Sequence, residues 1–453
     1  MMLNMFVCMH YGLLLLMYLW TTLSGVDAAL PRYCGRRGSG VDALGAPAGD
    51  LDLVQIQVVT RHGARTPTGD CARWLPGARA RWDCRGAVLE GATVGGAATD
   101  LRLARSFASV DGALPGTCEL GQLLDEGYAQ HAALGAALRD AYVGGRVGAL
   151  PAGPATARST DLSRTRQSAV ALLDAFFRGT GRAPPEALET TDFASDDAYP
   201  NVLECPRLAD LERRAYASDA FAAWNATADR RDLDARLGSK LGAGFSYGLD
   251  MAGGHLLDCV YASVCDGAAP GPLSPEDVAD LGAQADARES FKLEHDGRAY
   301  AKLAAQPLLG RLRRGLGGGA SFALHSAHDT SVMPLLASLG AGDGKWAPYA
   351  SAVVVERWTS RASGEGFVRV AYDGAPVVVD GCGGGELCAL ADFDAATAWA
   401  DEDRACGAAR APTMVVDTGR AWPAALLWNA ACFLAGAAAV HVVARARRGK
   451  ELP

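Results

Sequence analysis

Residues 54–67 read VQIQVVTRHGARTP, and no other stretch limits the fold as tightly. Strand-forming residues run from Leu51 to Thr60 and then break before a Pro, the pattern of a buried strand rather than of an amphipathic helix. That strand delivers Arg61, His62 and Arg65 to a turn. The same move recurs twice. ATARST forms a short extended entry ending near Arg158, and a helix follows with Leu162, Ala169, Leu172, Leu173 and Phe176 on its apolar face. Phe322 to His325 reads as a short buried strand, then a polar turn holds His328 and Asp329, and a helix starts at about Thr330 with Pro334 in its first turns. Ligands of open α/β sheets bind beyond the carboxyl ends of the strands, so the three turns are expected to face one crevice.

The remaining pattern adds an insertion. Leu120 to Tyr142 has helical spacing at Leu123, Leu124, Leu134, Leu138 and Tyr142, whereas 71–118 carries Cys, Gly and Pro without a period and reads as loop. Residues 195–310 are mostly helical patterns, with a capping box at Ser274–Asp277 and a long helix through Tyr300 to Arg314. SAVVVERW and GFVRVAYDG alternate like adjacent strands. The expected organisation is an α/β domain over 50–194 and 311–410, interrupted by a mostly helical cap over 195–310.

Composition narrows the partners and the compartment. With 453 residues the chain can bury a sizeable core, and a net charge of -8 without basic blocks argues against nucleic acid. The apolar GLLLLMYLW and the small-residue site at Ala28 predict a signal peptide over 1–28, although no Lys or Arg precedes the apolar run; an uncleaved anchor is the rival reading. Residues 422–444 are long enough to cross a bilayer and precede the basic tail 445–453, which predicts one transmembrane helix with a cytoplasmic tail. A buried Ala-rich helix and a removable lipid-anchor signal compete with that reading, because Asn429 and His441 weaken the apolar signal. Twelve cysteines, less Cys8 in the signal and Cys432 in the span, leave ten, an even number suited to an oxidising lumen. Cys259 with Cys265 and Cys382 with Cys388 look like local bridges; metal ligation is the rival, but no CxxC or HExxH is present. Asn225 heads the unblocked sequon Asn225-Ala226-Thr227. These features together predict a single-pass membrane protein of the secretory pathway, its main domain luminal or extracellular, at the cell surface or in a lysosome-like compartment.

The three turns hold Arg61, His62, Arg65, Arg158, His328 and Asp329, and planar guanidiniums with two imidazoles suit a tetrahedral oxyanion. RHGARTP, ARSTDLSRT and HSAHDTS, in this order, resemble the histidine phosphatase superfamily and, within it, the histidine acid phosphatase branch of prostatic and lysosomal type; the similarity runs from about 52 to 358. The resemblance implies a large phosphoglycerate mutase-like α/β domain, its central mixed sheet flanked by helices, with a smaller helical cap. It implies His62 as nucleophile, Asp329 as proton donor, and Arg61, Arg65, Arg158 and His328 as the phosphate pocket. No metal or cofactor is then required, the partner is a phosphomonoester substrate, and a homodimer is compatible with it. The implied activity is phosphomonoester hydrolysis through phosphohistidine in the acid range. Narrower alternatives are a phosphoxylose or inositol phosphate phosphatase, and a catalytically silent binder of phosphorylated ligands. Taken singly, Asp329 could only cap its helix, Arg158 could only form a salt bridge, and Arg164 and Arg166 read as solvating a helix face, with the rim of the site as the rival reading. His131, His255, His295 and His325 read as packed or hydrogen-bonded residues without a catalytic part.

Overall fold

The computed structural model describes residues 30–69, 71, 82, 84, 93–94, 97–98, 118–192, 195–242, 255–268, 270–402 and 405–406. The expected signal, the 422–444 span, the basic tail and most of the loop over 71–118 lie outside these residues. Among the described residues no helix is long and apolar enough to cross a membrane.

In chain order, Leu51–Arg61 forms β1, and Thr93–Val94 (β2) pairs with Ala97–Ala98 (β3) in a small hairpin. Asp125–Leu138 (α1), Ala155–Ser159 (β4), Ser163–Phe177 (α2) and Leu188–Glu189 (β5) follow. The helical insertion comprises Pro206–Tyr216 (α3), Asp219–Asn225 (α4), Ala228–Leu241 (α5), His255–Cys265 (α6) and the first half of Pro275–Leu316 (α7). Phe322–Ala327 (β6) and Asp329–Ser338 (α8) precede the hairpin of Ala352–Ser360 (β7) and Gly366–Tyr372 (β8). Ala375–Val377 (β9), Leu387–Ala389 (β10) and Leu390–Ala396 (α9) close the described chain.

One mixed sheet runs in the order β10-β8-β7-β1-β6-β4-β5, with β9 beside β8. Strands β1, β6, β4 and β5 are mutually parallel, whereas β7 pairs antiparallel to β1. Alternate residues of β1 serve opposite faces. Ile56 and Val58 pack with Leu134, Leu138, Leu172 and Phe176 of α1 and α2, while Val59 packs with Leu308, Leu312 and Val332 of α7 and α8. The two polar residues of VQIQVV also have partners: Gln57 Nε2 donates to Leu312 O at 2.8 Å and Gln55 Nε2 to Gly315 O at 3.0 Å. Both carbonyls belong to the last turns of α7, so the two glutamines tie β1 to the end of that helix.

Several expectations need adjusting. The helix expected from Leu120 begins at Asp125, because the backbone before it is committed to the RHGARTP turn: Thr66 N donates to Gln122 O and Leu124 N to Ala64 O, both at 2.9 Å. The capping box at Ser274 is formed, but α7 breaks at His295–Arg298, where Asp296, Gly297 and Arg298 turn left-handed. Its second half joins the sheet core through Leu303, Leu308 and Leu312. Cysteine pairing differs most. Cys382–Cys388 is the local bridge expected, but Cys259 binds Cys71 and Cys265 binds Cys34, so the two cysteines of α6 reach out to two distant segments. On a helix, residues six apart point to different sides, which rules out the short bridge. Cys84–Cys118 and Cys205–Cys406 complete the set.

Candidate active site

Parallel register brings the three turns together. Arg61 lies opposite Ala327, and Ser159 opposite Ser326, so the residues that follow β1, β4 and β6 leave the sheet at one edge. His62 is pinned there by its backbone: its N–H donates to Ala327 O at 3.0 Å and its carbonyl accepts from Ala350 N at 3.1 Å. Gly63 is required by packing against α1, since a Cβ on it would lie 2.5 Å from Gly127 O. Gly127 meets Ala64 just as closely, so the two glycines let turn and helix touch.

A polar cavity of about 850 Å³ opens above this edge, lined by His62, Arg65, Arg164, His328 and Asp329 among others. The imidazole Nδ1 of His62 lies 2.9 Å from Gly63 O. A carbonyl only accepts, so Nδ1 carries the proton and Nε2 keeps its lone pair. Burial holds the His62 pKa well below that of an ordinary histidine, and the guanidiniums of Arg164, Arg65 and Arg61 push it the same way. His328 is held neutral similarly, first by burial and then by Arg164; its Nε2 lies 2.9 Å from Thr160 Oγ1, and its ring meets that of His62 edge-on at 5.5 Å.

Asp329 opens α8, and its carboxylate looks back into the site. Its Oδ2 accepts from Trp346 Nε1 at 2.8 Å and lies 3.0 Å from an Arg61 nitrogen. Burial raises its pKa, but Arg61, the indole N–H of Trp346 and Arg65 outweigh that and bring it down to about 2. Arg61 itself is fully buried beneath the site, between the rings of Tyr33 and Tyr349 at 4.5 and 4.3 Å. Its terminal nitrogens donate to Ala347 O and Tyr33 Oη, both at 2.6 Å.

Arg65 lines the cavity with its charge held by Asp258 at 2.6 Å; burial disfavours that charge, and Asp258 more than restores it. Asp258 belongs to α6 and also accepts from the backbone and hydroxyl of Thr68, each at 2.7 Å. The residue expected from β4 is not the one present. Arg158 turns away from the cavity to Asp197 at 2.9 Å and to Thr191 Oγ1 at 3.2 Å, while Arg311 also holds Asp197. Arg164, one turn into α2, lines the cavity instead. No carboxylate pairs with it among the described residues, and burial with the neighbouring Arg65 lowers its pKa to about 10, so it stays charged. Arg158 pairs in register with His325, which pairs with Val59 on the α7 face of the sheet, and there it shares Asp197 with Arg311 of α7, whereas Arg164 projects from α2.

Sequence reasoning thus missed Asp258 and Trp346 and preferred Arg158 to Arg164. A cation at the start of the helix after β4 was the available signal for Arg164, but Asp258 and Trp346 come from segments with no local mark. The far wall is formed by the insertion, with Glu212, Tyr216, Arg288, Glu289 and Lys292. His131 is packed as expected, its Nε2 donating to Arg61 O at 3.1 Å, and His325 is buried.

Comparison with known proteins agrees with this architecture. Residues 52–252 and 256–373 match the profile of the histidine phosphatase superfamily (branch 2). The chain is 29% identical over 357 residues to counting factor 60 of Dictyostelium discoideum, covering 73% of this chain and 82% of that protein. It is 27% identical over 366 residues to mouse lysophosphatidic acid phosphatase type 6, covering 76% and 84%. Among solved structures, the phytase of Hafnia alvei in complex with myo-inositol hexakis sulphate superposes with a TM-score of 0.55 at 16% identity, over 79% of this chain and 99% of that one, which bears on the fold alone. A profile match that takes in all three strand-end turns and the insertion between them leaves one assignment: the chain belongs to branch 2 of the histidine phosphatase superfamily and is a phosphatase.

Proposed function

We propose that this phosphatase hydrolyses phosphomonoesters through a phosphohistidine on His62. The observation that carries the reading is a neutral imidazole, its Nε2 unprotonated, in a cavity walled by Arg65, Arg164, His328 and Asp329. Phosphoryl transfer asks a protein mainly for positioning and for stabilisation of charge on the nonbridging oxygens. Arg65 and Arg164 supply that charge, Arg61 supports it from beneath, and His328 donates a hydrogen bond. The Nε2 lone pair attacks phosphorus and the P–O ester bond breaks. The leaving oxygen takes its proton from the Asp329 carboxyl group. Water then attacks the phosphohistidine, gives a proton to the Asp329 carboxylate, and the P–N bond breaks to release phosphate. In this scheme Arg164 takes the place that the sequence assigned to Arg158. The helical segment 195–310 acts as the cap that meets the organic part of the substrate.

The test is trapping. Phosphate from a labelled aryl phosphate should become protein-bound in an acid-labile form in the wild type and not in His62→Ala, with turnover falling by on the order of 10⁴ or more. Binding without turnover in a folded wild-type protein would favour the silent binder instead.

The same chain is proposed to work in the secretory pathway, held by the 422–444 span with its catalytic domain luminal or extracellular. Five disulfides among the described residues support an oxidising compartment, and Asn225 is exposed at the end of α4, where a glycan would fit. Glycosidase treatment should shift the mass of the wild type but not of Asn225→Gln, and protease added to sealed microsomes should leave the domain intact.

A further inference from the structure

A second cavity abuts the polar one. Its volume is about 580 Å³, and Pro31, Tyr261, Val264, Val278, Ala279 and Gly282 give it apolar or small walls. Tyr33, Leu257, Ala285 and Trp346 line both spaces. Trp346 is fixed at the junction: its indole donates to Asp329, and its backbone N–H donates to Asp286 Oδ1 at 2.7 Å. The floor is preformed, since Tyr33 stacks on Tyr261 with ring centroids 4.3 Å apart. Gly282 permits this, because a Cβ there would come within 1.9 Å of the Tyr261 hydroxyl. The charges at the rim neutralise one another, Lys345 with Asp286 at 3.4 Å and Arg32 with Asp343 at 2.6 Å. Among the described residues no unpaired cation therefore marks this space as a second phosphate site.

Position relative to the chemistry decides what enters it. The leaving oxygen of an ester bound over His62 must approach Asp329, and Trp346 is bonded to that carboxylate. The organic part of the substrate therefore departs on the side where the apolar cavity begins. A hydrated, multiply charged alcohol would lose water there and gain no partner, whereas a hydrocarbon chain gains by burial. We propose that this cavity takes the aliphatic chain of the substrate, so that the preferred class is a phosphomonoester whose leaving alcohol carries an alkyl or acyl chain. The assignment rests on the phosphatase reading above.

A series of n-alkyl phosphates from ethyl to dodecyl, used below their aggregation limits on the full chain, tests it alongside p-nitrophenyl phosphate. Expected is a rise in kcat/KM of about tenfold or more from the two-carbon to the eight-carbon ester, as methylenes leave water. In Ala279→Trp and Ala283→Phe, which fill the cavity from its open side, the octyl-to-ethyl ratio should fall toward one. A flat wild-type profile with normal turnover of the ethyl and aryl esters would overturn the chain site and leave the phosphatase reading intact. A rise that persists undiminished in both variants would also overturn it. Failure to turn over any ester, in protein that is folded, would instead remove the phosphatase reading on which it stands.

Discussion

Asp329 is ionised, with its pKa drawn down to about 2, yet the proposed chemistry needs a proton there. The consistent source is the substrate. A phosphomonoester loses its second proton near pH 6, so below that it arrives as a monoanion and can share its proton with the Asp329 carboxylate. That proton then passes to the leaving oxygen. It follows that kcat/KM should decline above about pH 6 along the substrate's own second ionisation. The break should move when the ester is exchanged for one of different acidity, and a break fixed at one pH for all esters would assign the proton to the enzyme instead. The acid range expected from the sequence is then a property of the substrate as much as of the carboxyl group. The arginines make a second residue-level contrast. Arg164→Ala removes from the cavity a cation that no carboxylate among the described residues pairs, and should cost about 10²–10³ in kcat/KM, the scale of one lost oxyanion donor. Arg158→Ala leaves Asp197 with Arg311 alone, so it should act chiefly on stability, by about 1–3 kcal/mol, and on kcat/KM by less than tenfold. Steady-state kinetics with urea titrations on both variants would separate them, and equal kinetic losses would restore Arg158 to the site.

Whole elements explain what was legible in the sequence. The strand-turn-helix units around β1, β4 and β6 are local patterns, and a local pattern suffices when parallel strands automatically align their carboxyl ends. His62, Arg65, His328 and Asp329 were therefore readable as one site. Arg158 and Arg164 lie on the same unit, one on the strand and one on the helix that follows, and choosing between them requires the face of the sheet to which Arg158 projects, which β4 is too short to reveal by alternation. Asp258 and the pairing of Cys259 and Cys265 were not readable, because both depend on where α6 docks across a sequence separation of 188 or 231 residues. That helix has a double task. It presents Asp258 to Arg65 while its cysteines tie it to Cys34 and Cys71, one beside Tyr33 and the other beyond the RHGARTP turn. Replacing both Cys71 and Cys259 by Ser should lower stability by about 2–4 kcal/mol. It should also raise KM more than it lowers kcat, since the Asp258–Arg65 contact would loosen before substrate binds. Calorimetry with kinetics checks both halves, and an unchanged KM would mean that α6 holds Asp258 without that bridge.

Across the molecule, buried titratable groups set how the fold responds to acid. His131 and His325 are packed inside, and burial lowers the pKa of each to about 4, well under the unfolded value of about 6.5. Between those limits the unfolded chain holds protons that the native one does not, so stability falls as pH falls, by about 1.4 kcal/mol per pH unit for each group. His62 and His328 act in the same direction. Asp373 opposes them. Burial raises its pKa to about 7 against the pull of the Ala352 N–H, Arg32 and Arg36, so the native state holds a proton that the unfolded carboxyl gives up. Its contribution is complete below the unfolded carboxyl pKa of about 4 and is lost as pH rises toward 7. Asp329, drawn down to about 2, stabilises throughout this range and fails only below about pH 4. From pH 6.5 to 4.5, His131 and His325 together remove about 4 kcal/mol and Asp373 returns about 2, before the two site histidines add their loss. Urea unfolding at the two pH values should therefore show lower stability at the acid end by at least about 2 kcal/mol. His131→Gln keeps a donor for Arg61 O but does not titrate, so the fall should shrink by roughly 2 kcal/mol in that variant. A fall of the same size in His131→Gln would show that the buried imidazoles do not govern the acid response. Bound phosphate should flatten the contrast by favouring a protonated His62 in the folded state alone, so that acid stability measured with and without inorganic phosphate links the pH response of the whole fold to the occupancy of one site.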